Sequence, residues 1–457
     1  MVEENALKRL MFKPFMFLRV LPLLLGILAL IMFPSLVMAL AYGETAMIRA
    51  FALPSSLALA AAGGALVSLR KRPLRFSPRQ GFLLVSLTWM LISLVGALPY
   101  YLGEVGLSFT DAIFESTCGF ATTGSTTIAD VERLPRSLIF WRSMTHWFGG
   151  MGIILLSVAL LPLLGVGGFQ LIKAETPGPE KEKVTPKITA TAKILYLVYC
   201  GLTAVLAICY LAGGMNWFDA LCHAFTVVAS GGISTKNAGI ASYRSPFIEV
   251  VTTIFMLLAA VNFNLYYRLL QGKYQDIVDN SEFRTYLFIF AAAALIITVS
   301  ILPVYGSLGT ALRYGTFQAA SVLSTTGNVI ADYEAWPMLA QAVIFVLMFI
   351  GGCSSSTAGG IKVVRLVVLF KQAGNEMRRL LYPRGIFSIR LNRKVGRKDV
   401  VYGVAAFISL YIMVIIAVTL ITALSGIEVF SSFSAALAVT GNVGVGFGAI
   451  GPTRSFA

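Results

Sequence analysis

Thr122-Thr123-Gly124-Ser125, Ser230-Gly231-Gly232-Ile233, Thr325-Thr326-Gly327-Asn328 and Asn442-Val443-Gly444-Val445 are four glycine-centred stretches, each preceded by a short apolar segment. In the first two copies an Asp-Ala pair, Asp111-Ala112 and Asp219-Ala220, stands thirteen residues before the glycine. The last two copies lose the pair and keep the length. Such recurrence marks an internal repeat, which governs the fold before any single segment does. Four copies of one loop can surround an axis and present main-chain carbonyls to a dehydrated cation, which is how a selectivity filter is built. An extended, strained backbone reaches positive φ at little cost only in glycine. The expected filter is therefore centred on Gly124, Gly232, Gly327 and Gly444, with carbonyls from Thr122, Thr123, Ser230, Gly231, Thr325, Thr326, Asn442 and Val443. One such loop alone would read as a small-residue helix contact; four in register favour the pore.

The surroundings of the loops agree. Hydrophobic residues make up 57% of the 457-residue chain, mean hydropathy is +0.81, and several apolar runs exceed twenty residues, far beyond what a soluble core requires. Nine segments are long enough to cross a bilayer: 15–41, 46–69, 81–102, 138–164, 190–213, 247–270, 285–305, 338–369 and 400–424. The stretches at 110–121, 218–229, 313–324 and 430–440 are too short to span and read as re-entrant pore helices, tolerated only where protein or water surrounds their ends. The expected fold is an all-α polytopic membrane protein. Two leading helices (1–70) precede four fused span–pore helix–span units with pseudo-fourfold symmetry, at 71–165, 166–271, 272–371 and 372–457. The fourth unit lacks its closing helix within these residues, and the sequence is expected to continue beyond Ala457.

The formal charge of +15 could suggest nucleic acid, but the basic residues gather in a few loops, as the positive-inside rule requires. Lys8, Arg9 and Lys13, then Arg70, Lys71, Arg72, Arg75 and Arg79, then Lys173, Lys181, Lys183, Lys187 and Lys193, and finally the stretch 371–398 belong on the cytoplasmic side. The N-terminus is then cytoplasmic, and all four glycine loops face outward. The five cysteines lie within or beside apolar segments without the spacing of a zinc site or disulfide framework, and read as reduced packing residues.

Gly351-Gly352-Cys353-Ser354-Ser355-Ser356-Thr357-Ala358-Gly359-Gly360 interrupts the eighth span. Its four glycines each cost about 1 kcal/mol against alanine and its serines compete for backbone hydrogen bonds, so the helix is expected to break there. A broken helix close to a filter reads as a gate, with Gly351, Gly352, Ser354, Ser355, Ser356, Thr357, Gly359, Gly360 and Lys362 as its residues; close helix packing is the alternative. Lys362 and Arg365 either line an inner vestibule or mark the end of the span. Arg142 and His146 share one helix face and read as an interfacial anchor beside Trp141 and Trp147. Asp111 and Asp219 read as helix N-terminal caps.

The four loops, the stretch 140–152 (Phe-Trp-Arg-Ser-Met-Thr-His-Trp-Phe-Gly-Gly-Met-Gly) and the 351–362 stretch together resemble the membrane subunit of Trk/Ktr-type bacterial potassium uptake systems, and the two leading spans resemble the Trk branch. The resemblance implies potassium as the transported ion, filter glycines at the four positions above, and a gating loop at 351–360. It also implies a homodimer in the bacterial inner membrane, controlled by a cytoplasmic nucleotide-binding (TrkA-like) subunit.

The expected function is potassium uptake through a gated, channel-like pore, driven by a membrane potential worth about 2.3 kcal/mol per charge per 100 mV. No Walker or nucleotide-binding glycine motif is present, so an enzymatic role is not expected, and no cofactor is required beyond the transported potassium. Sodium- or proton-coupled potassium symport and a less selective monovalent cation transporter remain as alternatives, with a membrane scaffold without flux as a different class. The residues do not distinguish potassium from sodium; only the resemblance supplies the ion.

Overall fold

The structure is a computed structural model that describes residues 17–69, 78–160, 188–385, 387–391, 394–395 and 398–452. The basic residues Lys8, Arg9, Lys13, Arg70, Lys71, Arg72, Arg75, Lys173, Lys181, Lys183 and Lys187, and the terminal Ala457, lie outside the described residues. The described chain is almost entirely helical. In order it forms α1 (Phe17–Ala41), α2 (Thr45–Leu69), α3 (Pro78–Leu102), α4 (Phe109–Ala121), α5 (Arg136–Leu160), α6 (Ile188–Ala212), α7 (Trp217–Val228), α8 (Pro246–Ala259) and α9 (Phe263–Leu270). It continues with α10 (Tyr274–Val278), α11 (Ser281–Tyr305), α12 (Leu308–Leu323), α13 (Met338–Ile350), α14 (Val363–Leu381), α15 (Lys398–Ala423) and α16 (Val429–Thr440). A two-residue antiparallel ladder, β1 (Arg390–Leu391) with β2 (Lys394–Val395), separates α14 from α15.

Among the described residues six helical stretches are long and apolar enough to cross a membrane: Val20–Ala41, Thr45–Val67, Leu83–Leu102, Lys193–Ala212, Ser281–Tyr305 and Val401–Ala423. In the other three expected segments the described residues are helical but interrupted, and only the pair α8–α9 together is long and apolar enough to count as a further span. α8 and α9 meet at 92° across residues 260–262, where the Asn262 side chain accepts from Asn264 N–H (2.9 Å) and starts a new helix. α5 is interrupted at Gly152, whose φ of 70° only glycine adopts freely. The third interruption separates α13 from α14 over 351–362, as the run of small residues predicted.

Two compact units divide the chain. Of the described residues, the first comprises 17–69, 78–116, 135–141 and 154–160. In it α1 and α2 form an antiparallel hairpin, closed at Gly43 (φ 69°), and α3 packs on both. The Glu44 carboxylate accepts from Arg136 N–H (2.7 Å) and Ser137 N–H (3.2 Å), satisfying free amides at the start of α5 and opposing its dipole. Trp141 Nε1 donates to Gly96 O at 3.1 Å, which joins that helix start to α3.

Of the described residues, the second unit comprises 117–134, 142–153 and those from 188 to 452, and contains all four glycine loops. Its helices bury a continuous apolar core that includes Ile297, Ile301, Ile344, Leu347, Val363 and Leu437. Phe288, Leu295 and Val299 on α11 stay exposed, as on a helix whose outer face meets lipid rather than water. α4, α7, α12 and α16 are the expected short helices before the loops; α12 is longer than expected and begins at Leu308 rather than near residue 313.

Candidate ion-conduction site

Each short helix ends the same way. The residue two before the loop glycine takes a left-handed backbone although it is not glycine: Thr122 (φ 57°), Ser230 (57°), Thr325 (54°) and Asn442 (62°). The glycine itself follows at positive φ: Gly124 (81°), Gly232 (65°), Gly327 (73°) and Gly444 (84°). Between them the N–H groups of Thr123, Gly231, Thr326 and Val443 donate back to Cys118 O, Thr226 O, Ser321 O and Ala438 O at 2.8–2.9 Å. This is a C-terminal helix cap repeated four times. Four non-glycine residues held left-handed at one register position concentrate backbone strain in the four loops.

The four loops close into a ring. A Cβ on Gly124 would collide with the Gly231 carbonyl oxygen, one on Gly232 with that of Thr326, one on Gly327 with that of Val443, and one on Gly444 with that of Thr123. Every glycine thus lies flush against the carbonyl just before the next glycine, and the fourth contact returns to the first loop. Glycine is required twice at each position, by φ and by this approach. Side chains reinforce one junction: Asn442 Nδ2 donates to the Thr122 carbonyl (3.1 Å), and Thr123 Oγ1 donates to Asn442 Oδ1 (2.7 Å).

Beyond the glycines the loops are tied pairwise. Asn237 accepts from Val131 N–H at 2.8 Å and donates to Asp130 Oδ1 at 2.8 Å, joining the first loop to the second. That hydrogen bond, ahead of the Arg133 charge and two backbone amides, holds the exposed Asp130 carboxyl below its ordinary value. Tyr333 donates to Gly446 O at 2.5 Å and joins the third loop to the fourth. The Asp-Ala signal has a different cause from the one expected. Asp111 and Asp219 stand at the third helical position and pair with the true caps, Ser108 and Asn216, whose side-chain oxygens accept from Asp111 N–H (3.1 Å) and Asp219 N–H (2.8 Å). Asp219 also accepts from Thr235 Oγ1 at 2.6 Å, fixing the chain that leaves the second loop.

The 351–360 stretch lies against the left-handed residues of the ring. Ser230 Oγ hydrogen-bonds Thr357 Oγ1 at 2.7 Å, and Gly359 N–H donates to Thr325 Oγ1 at 2.6 Å. A Cβ on Gly359 would collide with the Asn442 side chain. Three of the four loops therefore touch this one segment. At its base Gly351 and Gly360 pass too closely to admit a Cβ on either, so two glycines form a neck. Glu282, almost fully buried, accepts from Ser354 Oγ (2.7 Å), Ser354 N–H (2.5 Å) and Val364 N–H (3.3 Å) and fastens both arms of the neck. Cys353 N–H donates to Ala260 O (2.9 Å) and Phe263 N–H to Ser355 O (3.0 Å), so the breaks at 260–262 and 351–362 support one another.

Other expected positions fall differently. Lys362, at φ 78°, turns its Nζ back to Ala358 O, and Arg365 donates to Ile361 O (2.8 Å) while stacking on Phe407 at 3.6 Å. Both are buried, so neither is a simple marker at the end of a span. Arg142 and His146 are buried too and are not an interfacial anchor; the His146 ring packs against Gly231. None of the five cysteines forms a disulfide. Among the described residues no group of three or more His, Cys, Asp or Glu side chains could hold a metal ion; the polar groups that join the loops at the ring are backbone carbonyls, hydroxyls and the Asn442 amide. Sequence reasoning missed Glu282, Asn262 and Asn237; an ionisable or amide residue at the edge of an apolar span was the available signal for the first two.

A family model described as TrkH, cation transport protein, matches residues 48–457. The chain is 38% identical over 444 residues to the Trk system potassium uptake protein TrkH of Halomonas elongata, covering 95% of this chain and 90% of that protein. It is 38% identical over 407 residues to the protein of the same name from Escherichia coli K12, covering 88% and 84%. The crystal structure of the potassium transporter TrkH from Vibrio parahaemolyticus superposes with a TM-score of 0.85 at 32% identity, over 96% of this chain and 92% of the other. The repeated loops, the broken helices and these matches agree: the chain is a multi-pass membrane protein and belongs to the TrkH family of cation transport proteins.

Proposed function

We propose that the chain takes up potassium across the bacterial inner membrane through the ring of four glycine loops, and that the 351–360 segment gates it. The observation that carries this reading is the closed cycle of glycine-to-carbonyl approaches through Gly124, Gly232, Gly327 and Gly444. Such a cycle sets carbonyl oxygens of equivalent residues around one axis, where they replace an ion's hydration shell. The names of the relatives supply potassium as the ion. Flow needs no chemical step in this chain, since the membrane potential acts on the cation directly.

The gate reading rests on where the segment touches the ring: Thr357 and Gly359 meet Ser230, Thr325 and Asn442 on one side of the glycines. The segment's hold on the ring is by the hydrogen bonds of Thr357 and Gly359, which opening would have to exchange, while Glu282, Ala260 and Phe263 fasten the rest of the segment. Regulation enters from the cytoplasmic side, through the basic 371–398 region, from a nucleotide-binding subunit whose affinity differs between open and closed states. The working form is a homodimer with a cytoplasmic N-terminus. The test is uptake by vesicles containing the purified chain, with sodium, potassium, rubidium and caesium in competition. Preferential potassium and rubidium flux supports the reading, and equal flux of all four ions removes the filter from it.

A further inference from the structure

The ring is not uniform at the position just before each glycine. Three loops carry a side chain there, Thr123, Thr326 and Val443, while the second carries Gly231. Backbone conformation does not explain this glycine, because Gly231 is absent from the residues with positive φ. The space does. A Cβ on Gly231 would fall on Nδ1 of His146, with Cε1 and Cγ of the same ring next nearest. The imidazole, carried by α5 of the first repeat, occupies the place that a threonine or valine side chain fills in the other loops. His146 is fully buried, and among the described residues neither of its ring nitrogens has a hydrogen-bond partner. A buried polar ring without hydrogen bonds is costly, so packing or an added partner must offset it.

We propose that His146 is a positioning residue for the ion filter: its ring stands in for the missing side chain of Gly231 and pins the most conformationally free link of the ring. Gly231 has no side chain of its own to restrain it, and its carbonyl lies flush against Gly124 of the preceding loop. Withdrawing the imidazole leaves a glycine free to rotate at the point where two loops meet. The carbonyl then loses its fixed direction, and ions of different radius are discriminated less sharply.

The inference rests on the filter reading above, and the experiment separates the two. Potassium-over-sodium preference and flux per folded molecule are measured in vesicles for the parent, Gly232→Ala, His146→Ala, Gly231→Ala and the double variant His146→Ala/Gly231→Ala. Loss of preference in Gly232→Ala establishes the filter independently of His146. In that setting His146→Ala should lower the preference by roughly tenfold, the size of coupling between residues in contact, with potassium flux retained. Gly231→Ala, forced against the ring, should lose preference or folded protein. The double variant should recover preference relative to either single change, because the added methyl group enters the vacated space. If the two changes simply add, or if folded His146→Ala discriminates as the parent does, the positioning role is overturned even though the filter stands. Should His146→Ala fail to fold, Gly231→Ala and the double variant decide the matter through the same rescue.

Discussion

Gly232→Ala is the substitution on which the ring makes its strongest demand. At φ 65° an added side chain meets left-handed strain of about 1–2 kcal/mol. The new Cβ would overlap the Thr326 carbonyl oxygen, and since real Cβ contacts do not fall below 3.0 Å, that oxygen or its loop must move by more than an ångström. Overpacking a closed site adds about 1–3 kcal/mol. Only part of this strain reaches the bound ion, because the loops relax; even about 1.4 kcal/mol expressed there changes ion preference by roughly tenfold. The assay is potassium-over-sodium flux per folded molecule in vesicles, with Gly272→Ala as the matched control. Gly272 has φ 73° but nothing within 4 Å of its added Cβ, so it carries the backbone strain without the collision. We expect a preference about ten times lower in Gly232→Ala and unchanged in Gly272→Ala. A folded Gly232→Ala with the parent's preference, or an equal loss in the control, would refute the link between the glycine-to-carbonyl approach and selection.

Shortening the tip between Cys353 and Ala358 should raise resting flux per folded molecule with ion preference kept; a parallel fall in flux and folded protein would mark the segment as helix packing instead. Glu282→Ala leaves Ser354 and Val364 amides without their acceptor, at about 1–3 kcal/mol, and should show faster amide exchange at 353–356 than elsewhere; uniform exchange would mean that Glu282 does not hold the neck. Asp130 titrates below its ordinary value, so its link to Asn237 is fully present above the ordinary carboxylate range and is lost as pH falls through the lowered value. Exchange at Val131, corrected for intrinsic rates, should accelerate only in that acidic window, and Asn237→Ala should abolish the step; a step at neutral pH would contradict the assignment.

Much of this architecture was legible because repetition reads independently of propensity. Four glycines at matching distances from four apolar segments located the loops, and the run of small residues at 351–360 located one broken helix. The Asp-Ala pair was visible as a signal but not as a capping box, since Ser108 and Asn216, the residues that complete it, differ from each other. Breaks at Gly152 and at 260–262 were hidden inside segments whose hydropathy stays high, because hydropathy reports burial and not the direction of the chain. The ring itself could not be read at all: which carbonyl meets which glycine depends on contacts between loops about one hundred residues apart or more. His146 was misplaced for a related reason. Its neighbours Trp141 and Trp147 suggested an interface, whereas its decisive neighbour is Gly231 in the next repeat.

The most direct measurement is anomalous scattering from crystals of the parent chain grown in rubidium. The account predicts a peak on the axis of the ring, enclosed by the carbonyls of Thr123, Gly231, Thr326 and Val443, and diminished when sodium replaces rubidium. Rubidium found elsewhere in the membrane region, with the ring empty in a protein that still transports rubidium, would contradict it.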